Sequence, residues 1–320
     1  MSAAKEINGV IHNPSVCVLM SYYNGNKFLH EQLESIFNQD YEGKITILIR
    51  DDGSPKDRIE DVITKLEHKK NREVFAYRED NVGVQRSFLN LIQEAQNAEY
   101  YFFADQDDIW LPHKIGKAVE EMLNVNDKYV MWCSNYSVVD QDLNEINSSG
   151  VTISPRTYHF LRSVFFNTFP GCVMGFNQNT LQVLKDMHLD NCMMHDSVAF
   201  ATVNALGTVI YNAEPSILHR IHASNVVGYG KRKIVIGKWI KEKFKLLLEK
   251  EPYDVSEFAS KLLRVAGAEI KQDVYDDVKL LACYKRTLKD TLILWRHKDV
   301  RDTINRCSLS IHLKILLHLF

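Results

Sequence analysis

Tyr100-Tyr101-Phe102-Phe103-Ala104-Asp105-Gln106-Asp107-Asp108-Ile109-Trp110 is the stretch that decides the fold. An apolar run of five residues meets three carboxylates. A run that short and that uniformly apolar predicts a buried strand. Carboxylates gathered at its end repel one another, so a bound cation or a donor-rich ligand must compensate them. A second acidic turn, Arg50-Asp51-Asp52-Gly53-Ser54, follows another apolar run, 45–49. Two acid-tipped strands in one unit predict a metal–nucleotide site.

Outward from this stretch, strand-like and helix-like segments alternate over 15–125. Val16-Cys17-Val18-Leu19-Met20 is a strand ending at the turn Ser21-Tyr22-Tyr23-Asn24-Gly25. Phe28, Leu29, Leu33, Ile36 and Phe37 follow with helical spacing. Ile59, Val62, Ile63 and Leu66 share a helical face, and Val74-Phe75-Ala76-Tyr77 reads as another strand. Phe88, Leu89, Ile92 and Ala95 mark a helix, and Ile115, Ala118, Val119, Met122 and Leu123 stripe one that begins near Pro112. This β-α order predicts an α/β fold, a Rossmann-like, mostly parallel sheet covered by helices. Ligands bind beyond the carboxyl ends of such strands. Positions 21–24, 51–54 and 105–108 all fall there.

The pattern is more mixed from 128 to about 225. It holds strand-like residues over 129–139, the glycine-bounded run Gly171-Cys172-Val173-Met174-Gly175-Phe176, a helix beginning near Asp196, and a last strand over 217–222. Strand alternation would send His219 and His222 to different faces, so at most one is expected to face the site. After Gly230 the composition shifts. Eight lysines and arginines crowd 231–250 among Trp239, Phe244 and several leucines, and the chain ends in a very apolar tail. The expected division is a catalytic domain over 1–228 and a helical C-terminal region over 229–320. The lysine-rich segment reads either as a solvated helix or as one lying on anionic lipid.

Bulk properties narrow the function. The chain has 320 residues, 45% of them hydrophobic, enough for one sizeable core with an appendage or for two modest domains. A formal charge of −2 carries no nucleic-acid signal. Six scattered cysteines without a CxxC pair read as reduced thiols. The first 13 residues show no signal-peptide pattern, and no apolar stretch is long enough to span a bilayer. The expected location is the cytoplasm, with a peripheral position on the inner face of the cell membrane as its extension.

The acidic loops have bland readings too. Counted from Asp105, an EF-hand calcium loop fails, because its sixth residue is Trp110 and its twelfth Gly116. The Asp105-x-Asp107 spacing instead suits a divalent ion bridging a diphosphate. Asp51 to Ser54 is either a type I turn or a carboxylate reader of a nucleobase N–H. Asp196 is either the N-cap of its helix or a catalytic base.

Taken together and in order, Ser21-Tyr22-Tyr23-Asn24-Gly25, Asp51-Asp52-Gly53-Ser54, Asn81-Val82-Gly83, Asp105-Gln106-Asp107-Asp108-Ile109-Trp110, Gly171-Cys172, His195-Asp196 and His222-Ala223-Ser224-Asn225-Val226-Val227-Gly228 resemble the inverting family-two glycosyltransferases of the GT-A nucleotide-diphospho-sugar transferase fold. The resemblance covers roughly 14–228. Its Asp-Gln-Asp-Asp-Ile-Trp and His-x-x-Asn-Val-Val-Gly forms look most like bacterial rhamnosyltransferases of polysaccharide biosynthesis. It implies that Tyr22, Asn24, Asp51, Asp52, Asn81, Gly83, Asp105 and Gln106 hold the nucleotide. Asp107, Asp105 and His222 would hold Mn²⁺ or Mg²⁺, and Asp196 would be the general base. The implied donor is a dTDP- or UDP-sugar, with dTDP-L-rhamnose leading, and the acceptor a glycan or lipid-linked glycan. A UDP-hexose donor, a nucleotidyltransferase and a non-catalytic sugar-binding module are the alternatives. No GxxxxGK[ST] loop supports the nucleotidyltransferase.

Overall fold

The computed structural model describes residues 5–7, 10–147, 159–166, 168–190, 192–222, 253–301 and 308–319. The lysine-rich segment 231–250, the 228–233 boundary and the motif residues after His222 lie outside them. The chain separates into two units. One comprises Met1–Thr152, Phe169–Lys185 and Gly207–Ala223; the other comprises Ile153–Thr168, Asp186–Leu206 and Ser224–Phe320.

The first unit is built on a nine-stranded sheet, preceded by a small hairpin of β1 (Lys5–Ile7) and β2 (Val10–His12). The large sheet holds β3 (Val16–Tyr22), β4 (Ile45–Asp51), β5 (Arg72–Arg78), β6 (Tyr100–Ala104), β7 (Ile109–Trp110), β8 (Val130–Val139), β9 (Glu145–Asn147), β10 (Met174–Asn177) and β11 (Thr208–Arg220). Its order is β5-β4-β3-β6-β10-β8-β11-β7, with β9 on β8. The first four strands are parallel, as the alternating pattern predicts. β10 is antiparallel to both its neighbours, and β8 and β11 are parallel. The GT-A expectation is met: a mostly parallel sheet flanked by helices.

Continuous apolar runs form the parallel strands because both faces are covered. Every residue of β4 and β6 is buried. The helices α1 (Asn26–Phe37), α3 (Val84–Glu94) and α4 (Lys114–Leu123) turn the stripes read from the sequence onto the core. Fully buried Phe102 and Phe103 contribute about 1.5–3 kcal/mol each by leaving water. One predicted helix is curtailed. The Ile59–Val62–Ile63–Leu66 face gives only the four-residue α2 (Glu60–Ile63). Thr64 Oγ1 donates back to the Glu60 carbonyl at 2.9 Å, and the polar run 67–71 beyond it offers little to bury.

Register aligns the functional loops. Tyr22 pairs with Asp51 and Asp51 with Arg78, while Met20 pairs with Ala104. The turns after β3, β4, β5 and β6 therefore leave the sheet at one edge. Helix α6 (Gln178–Asp186) follows β10 in the chain. The second unit contains the short α5 (Phe160–Phe165), α7 (His195–Leu206) and the helices Val255–Ala266, Tyr275–Cys283, Leu288–Arg296, Lys298–Arg301 and Ser308–Leu316. All twelve residues of α7 are buried. Among the described residues no helix is long and apolar enough to cross a membrane.

Where β8 and β11 begin, Gly207 lies so close to the Tyr129 carbonyl that no side chain fits. Gly207→Ala must push the two strands apart. A loss of about 1–3 kcal/mol is expected, read as a lowered urea midpoint in equilibrium unfolding.

Candidate active site

The loop after β6 is the centre of the site, and its three acids have different surroundings. Asp108 is fully buried. Its Oδ1 accepts the Arg220 backbone N–H at 3.1 Å and lies 3.0 Å from His219 Nδ1, while its Oδ2 has no hydrogen-bond partner. Asp107 Oδ2 sits 2.8 Å from His222 Nε2. Asp105 offers its backbone carbonyl to Gln32 Nε2 at 3.0 Å, and its carboxylate converges with Asp108, Cys172 and His219, ligand atoms lying within 4.8 Å of one another.

Crowding shows in the proton affinities. Burial, then the neighbouring Asp108 and Asp107 charges, push the Asp105 carboxyl up to about 7. Burial and Asp108 raise Asp107 as well, against the pull of His222. Burial would lower His219, but the Asp108 carboxylate outweighs it and carries the imidazole up to about 9. Beneath them lies Lys114, also fully buried. Its ammonium donates to the Cys172 carbonyl and stands 4.0 Å from the centre of the Trp110 ring. Desolvation lowers it to about 8, opposed by Cys172, Asp108 and Asp105.

Arg220 secures the loop from below. It is 2% exposed, and its guanidinium donates to the Asp107 carbonyl at 2.9 Å, the Gln141 carbonyl at 2.7 Å and Glu31 Oε2 at 2.6 Å. The same guanidinium lies 4.5 Å over Phe28, and Phe28 stacks on His222 at 4.8 Å. Both histidines thus meet the acidic loop, correcting the expectation that at most one would. The reason is local: β11 ends at Arg220, so His222 lies past the strand and escapes its alternation.

Around the other loops the site is a set of clamps. Gln106 grips the Tyr23 backbone twice, accepting its N–H at 2.8 Å and donating to its carbonyl at 3.2 Å. Asn24 takes a left-handed conformation (φ 47°) and donates its N–H to Ser54 Oγ at 2.9 Å. Tyr22 is buried, and its hydroxyl donates to Asn26 at 2.6 Å. Asp51 Oδ1 caps the turn by accepting the Ser54 N–H at 2.9 Å. Asp52 accepts the backbone N–H groups of Val82 and Gly83 at 3.0 and 2.9 Å and pairs with buried Arg50. Asn81 donates to the Asp52 carbonyl at 2.8 Å. Gly53 is required here: it has φ +74°, and a Cβ would stand 2.8 Å from the Asn81 nitrogen. Beside these residues opens a polar cavity of about 660 Å³, lined by Arg50, Gly53, Arg78, Asn81 and Val82 among others.

Tyr22, Asn24, Asp51, Asp52, Asn81, Gly83, Asp105, Gln106, Asp107 and His222 all belong to the first unit, at the carboxyl edge of its sheet. Asp196 belongs to the second. It is 7% exposed in the first turn of α7, where its Oδ1 accepts the Ser197 N–H at 2.7 Å. Its neighbour His195 is pulled down to about 4 by burial, and so is neutral at pH 7. Sequence reading did not single out Arg220, Lys114 or Phe28. A cation set within an otherwise apolar strand end, as in Ile217-Leu218-His219-Arg220-Ile221, was the available signal for Arg220.

The donor set fits a divalent cation. Asp107 and His222 face each other at 2.8 Å, while the ligand atoms that converge within 4.8 Å are those of Asp105, Asp108, Cys172 and His219, so Asp105 groups with Asp108 and His219 rather than with the Asp107–His222 pair; Asp108 Oδ2 is a buried carboxylate oxygen without a partner. The acidic loops lie at the carboxyl edge of an α/β sheet, where such folds bind their ligands. The chain belongs to glycosyl transferase family 2, whose pattern matches residues 17–185. It is similar to an uncharacterized glycosyltransferase of Rickettsia prowazekii, 23% identical over 221 residues, covering 67% of this chain and 66% of the relative. One from Methanocaldococcus jannaschii is 29% identical over 161 residues, covering 49% and 53%. A dTDP-rhamnosyl transferase of Shigella flexneri is 25% identical over 242 residues, covering 70% and 81%. The chain thus spans only half to two thirds of the first two relatives. Among solved structures, the S. aureus TarS 1–349 complex with UDP has a TM-score of 0.52 at 13% identity, covering 95% of this chain and 90% of that one. A Pyrobaculum calidifontis mannosyltransferase with GDP-Man and Mn²⁺ has 0.51 at 15%, covering 96% and 86%. These two likenesses bear on the fold alone.

Arg220→Lys keeps one charge but cannot reproduce three divergent hydrogen bonds. It is expected to destabilise the chain by about 1.5–3 kcal/mol in urea unfolding. It should also weaken Mn²⁺-dependent binding of a nucleoside diphosphate, measured by titration calorimetry.

Proposed function

We propose that this chain is a metal-dependent inverting glycosyltransferase, moving a sugar from a nucleoside diphosphate to a hydroxyl of a glycan acceptor. The observation that carries the reading is the Asp107–His222 pair, on a loop held from beneath by Arg220 and adjoined by the 105–108 acids. Asp107, Asp105 and His222 would hold Mn²⁺ or Mg²⁺; when bound, the ion offsets the charge that grows on the departing diphosphate.

The chain's own groups supply the rest. A carboxylate has about four acceptor sites, and Asp52 uses three on Val82, Gly83 and Arg50. One remains for a base N–H, and Asp51 stands beside it. Asn24, Asn81, Gly83 and Gln106 shape the nucleotide loop around the polar cavity, with Tyr22 supporting it from the core. Asp196 is the base that takes the acceptor's proton, worth about 10²–10⁴ in rate. A single base and one direct displacement invert the anomeric carbon without a protein nucleophile. The catalytic region is taken as 1–228, with 229–320 as its helical extension. The Shigella relative's name supports a dTDP-rhamnose donor, taken as dTDP-L-rhamnose, and the proposed product is a cell-surface polysaccharide. A UDP-hexose is the second choice, and a lipid-linked acceptor would place the chain at the inner membrane face.

A panel of nucleotide sugars with Mn²⁺, read by thermal shift and by nucleoside diphosphate release, tests this reading. Release of pyrophosphate instead would make the chain a nucleotidyltransferase, and donor binding without turnover a binding module. Asp107→Ala should abolish the Mn²⁺-dependent shift. Asp196→Asn should keep that shift and slow diphosphate release by about 10²–10⁴. Full activity in Asp196→Asn would remove it as the base.

A further inference from the structure

The C-terminal helices carry a surface that sugar transfer does not use. Helix Leu288–Arg296 packs on Thr291 and Leu294, both buried. Its outer side exposes Leu288 at 80%, Leu292 at 41% and Ile293 at 44%. Single exposed leucines are ordinary on a soluble protein, but three on one short helix are a patch. The positions exposed around them are Arg286, Thr287, Lys289, Arg296 and Lys298, and no exposed acid interrupts 286–298. Asp290, the acid within the helix, is half-buried and bonded to the Thr287 hydroxyl at 2.8 Å. Lys289, Leu292, Ile293, Arg296 and His297 line a groove of about 580 Å³, in which His297 pairs with Asp277 at 3.3 Å and Lys289 and Arg296 are exposed.

The adjoining segment has the same character. His318 Nε2 meets Thr291 Oγ1 at 2.8 Å, and beside it Leu316 and Leu317 are 39% and 48% exposed. From Tyr284 onward the sequence has eight lysines and arginines against three aspartates, in a chain whose formal charge is −2. Of these cations Lys314 is buried and Lys285 pairs with Asp254 at 2.8 Å, while Arg286, Lys289, Arg296 and Lys298 are exposed beside the uncovered apolar side chains.

We propose that the outer face of Leu288–Arg296 is a docking site for an anionic phospholipid surface. Leu288, Leu292 and Ile293 enter the headgroup–acyl boundary, and Arg286, Lys289, Arg296 and Lys298 meet lipid phosphates. Charge complementarity selects this occupant: cations ringing an apolar stripe match a negatively charged interface, whereas a protein partner's apolar core is depleted of charge. The proposal does not rest on the lysine-rich segment 231–250, nor on the transferase reading.

The test is sedimentation of the full chain with vesicles of phosphatidylcholine alone or with 30% phosphatidylglycerol, roughly the anionic share of a charged leaflet. Binding is expected to the anionic vesicles, and to fall as salt rises. Leu288→Ser/Leu292→Ser/Ile293→Ser, and separately Lys289→Glu/Arg296→Glu, should each weaken partition at least roughly tenfold. All five side chains are exposed, so folding should persist, as checked by circular dichroism and an unchanged melting temperature. Absence of binding by the parent chain, equal binding to neutral vesicles, or unaltered binding by both variants would overturn the proposal. Nucleoside diphosphate release in detergent-free solution reports the transferase separately, so failure of one reading leaves the other legible.

Discussion

The structure of the first unit turns on the cost of gathering carboxylates at the end of a buried strand. Three aspartates in four residues would repel strongly wherever water is scarce. The fold answers with partners brought from afar: His219 against Asp108 across 111 residues, His222 against Asp107 across 115, and Arg220 bracing the loop's backbone. Lys114 adds a buried positive charge beneath. The compensation is incomplete, since Asp105 is still lifted to about 7 and Asp108 keeps an unpartnered oxygen. A protein built only for stability would dispense with such a cluster. Its persistence is intelligible if a cation belongs there.

The same constraint explains β11. A thirteen-residue strand lies parallel to β8 and delivers His219 and Arg220 to the acidic loop, with His222 just past its end. Two register shifts between Asn212 and Leu218 accommodate Pro215, which cannot donate to a ladder. The strand nevertheless stays in register where it matters, at Leu218 to Arg220. Phe28 then unites the parts, touching Arg220 on one hand and His222 on the other.

The parallel half of the sheet was legible in the sequence because each strand there is an uninterrupted apolar run and each helix a 3.6-period stripe. Those are local signals, and their chain order implies the sheet. The antiparallel insertion of β10 between β6 and β8 was not legible, since Gly171 to Phe176 looks the same whichever strands it joins. The acids of the site were legible for the same local reason that the strands were: they terminate them. Their partners were not. Arg220 reaches Glu31 across 189 residues, and no spacing in the chain encodes that meeting. The His219–His222 expectation failed because strand alternation was extended two residues past the point where the strand stops.

Asp52 shows why a motif's residue type and its task should be separated. The Asp51-Asp52-Gly53-Ser54 turn invites a choice between a structural turn and a base-reading carboxylate; the geometry shows the structural role and is compatible with the other. Asp52 closes the Asn81-Val82-Gly83 loop onto its own turn by accepting two backbone N–H hydrogen bonds at the start of α3, where the helix dipole also favours its charge. Buried Arg50 completes that hold. An acid fixed so rigidly can present its remaining lone pair with little entropy left to lose, which is what recognition of a flat, exchangeable ligand demands. In the proposed reading the two roles share one arrangement: the hydrogen bonds that stabilise the loop would also aim the carboxylate.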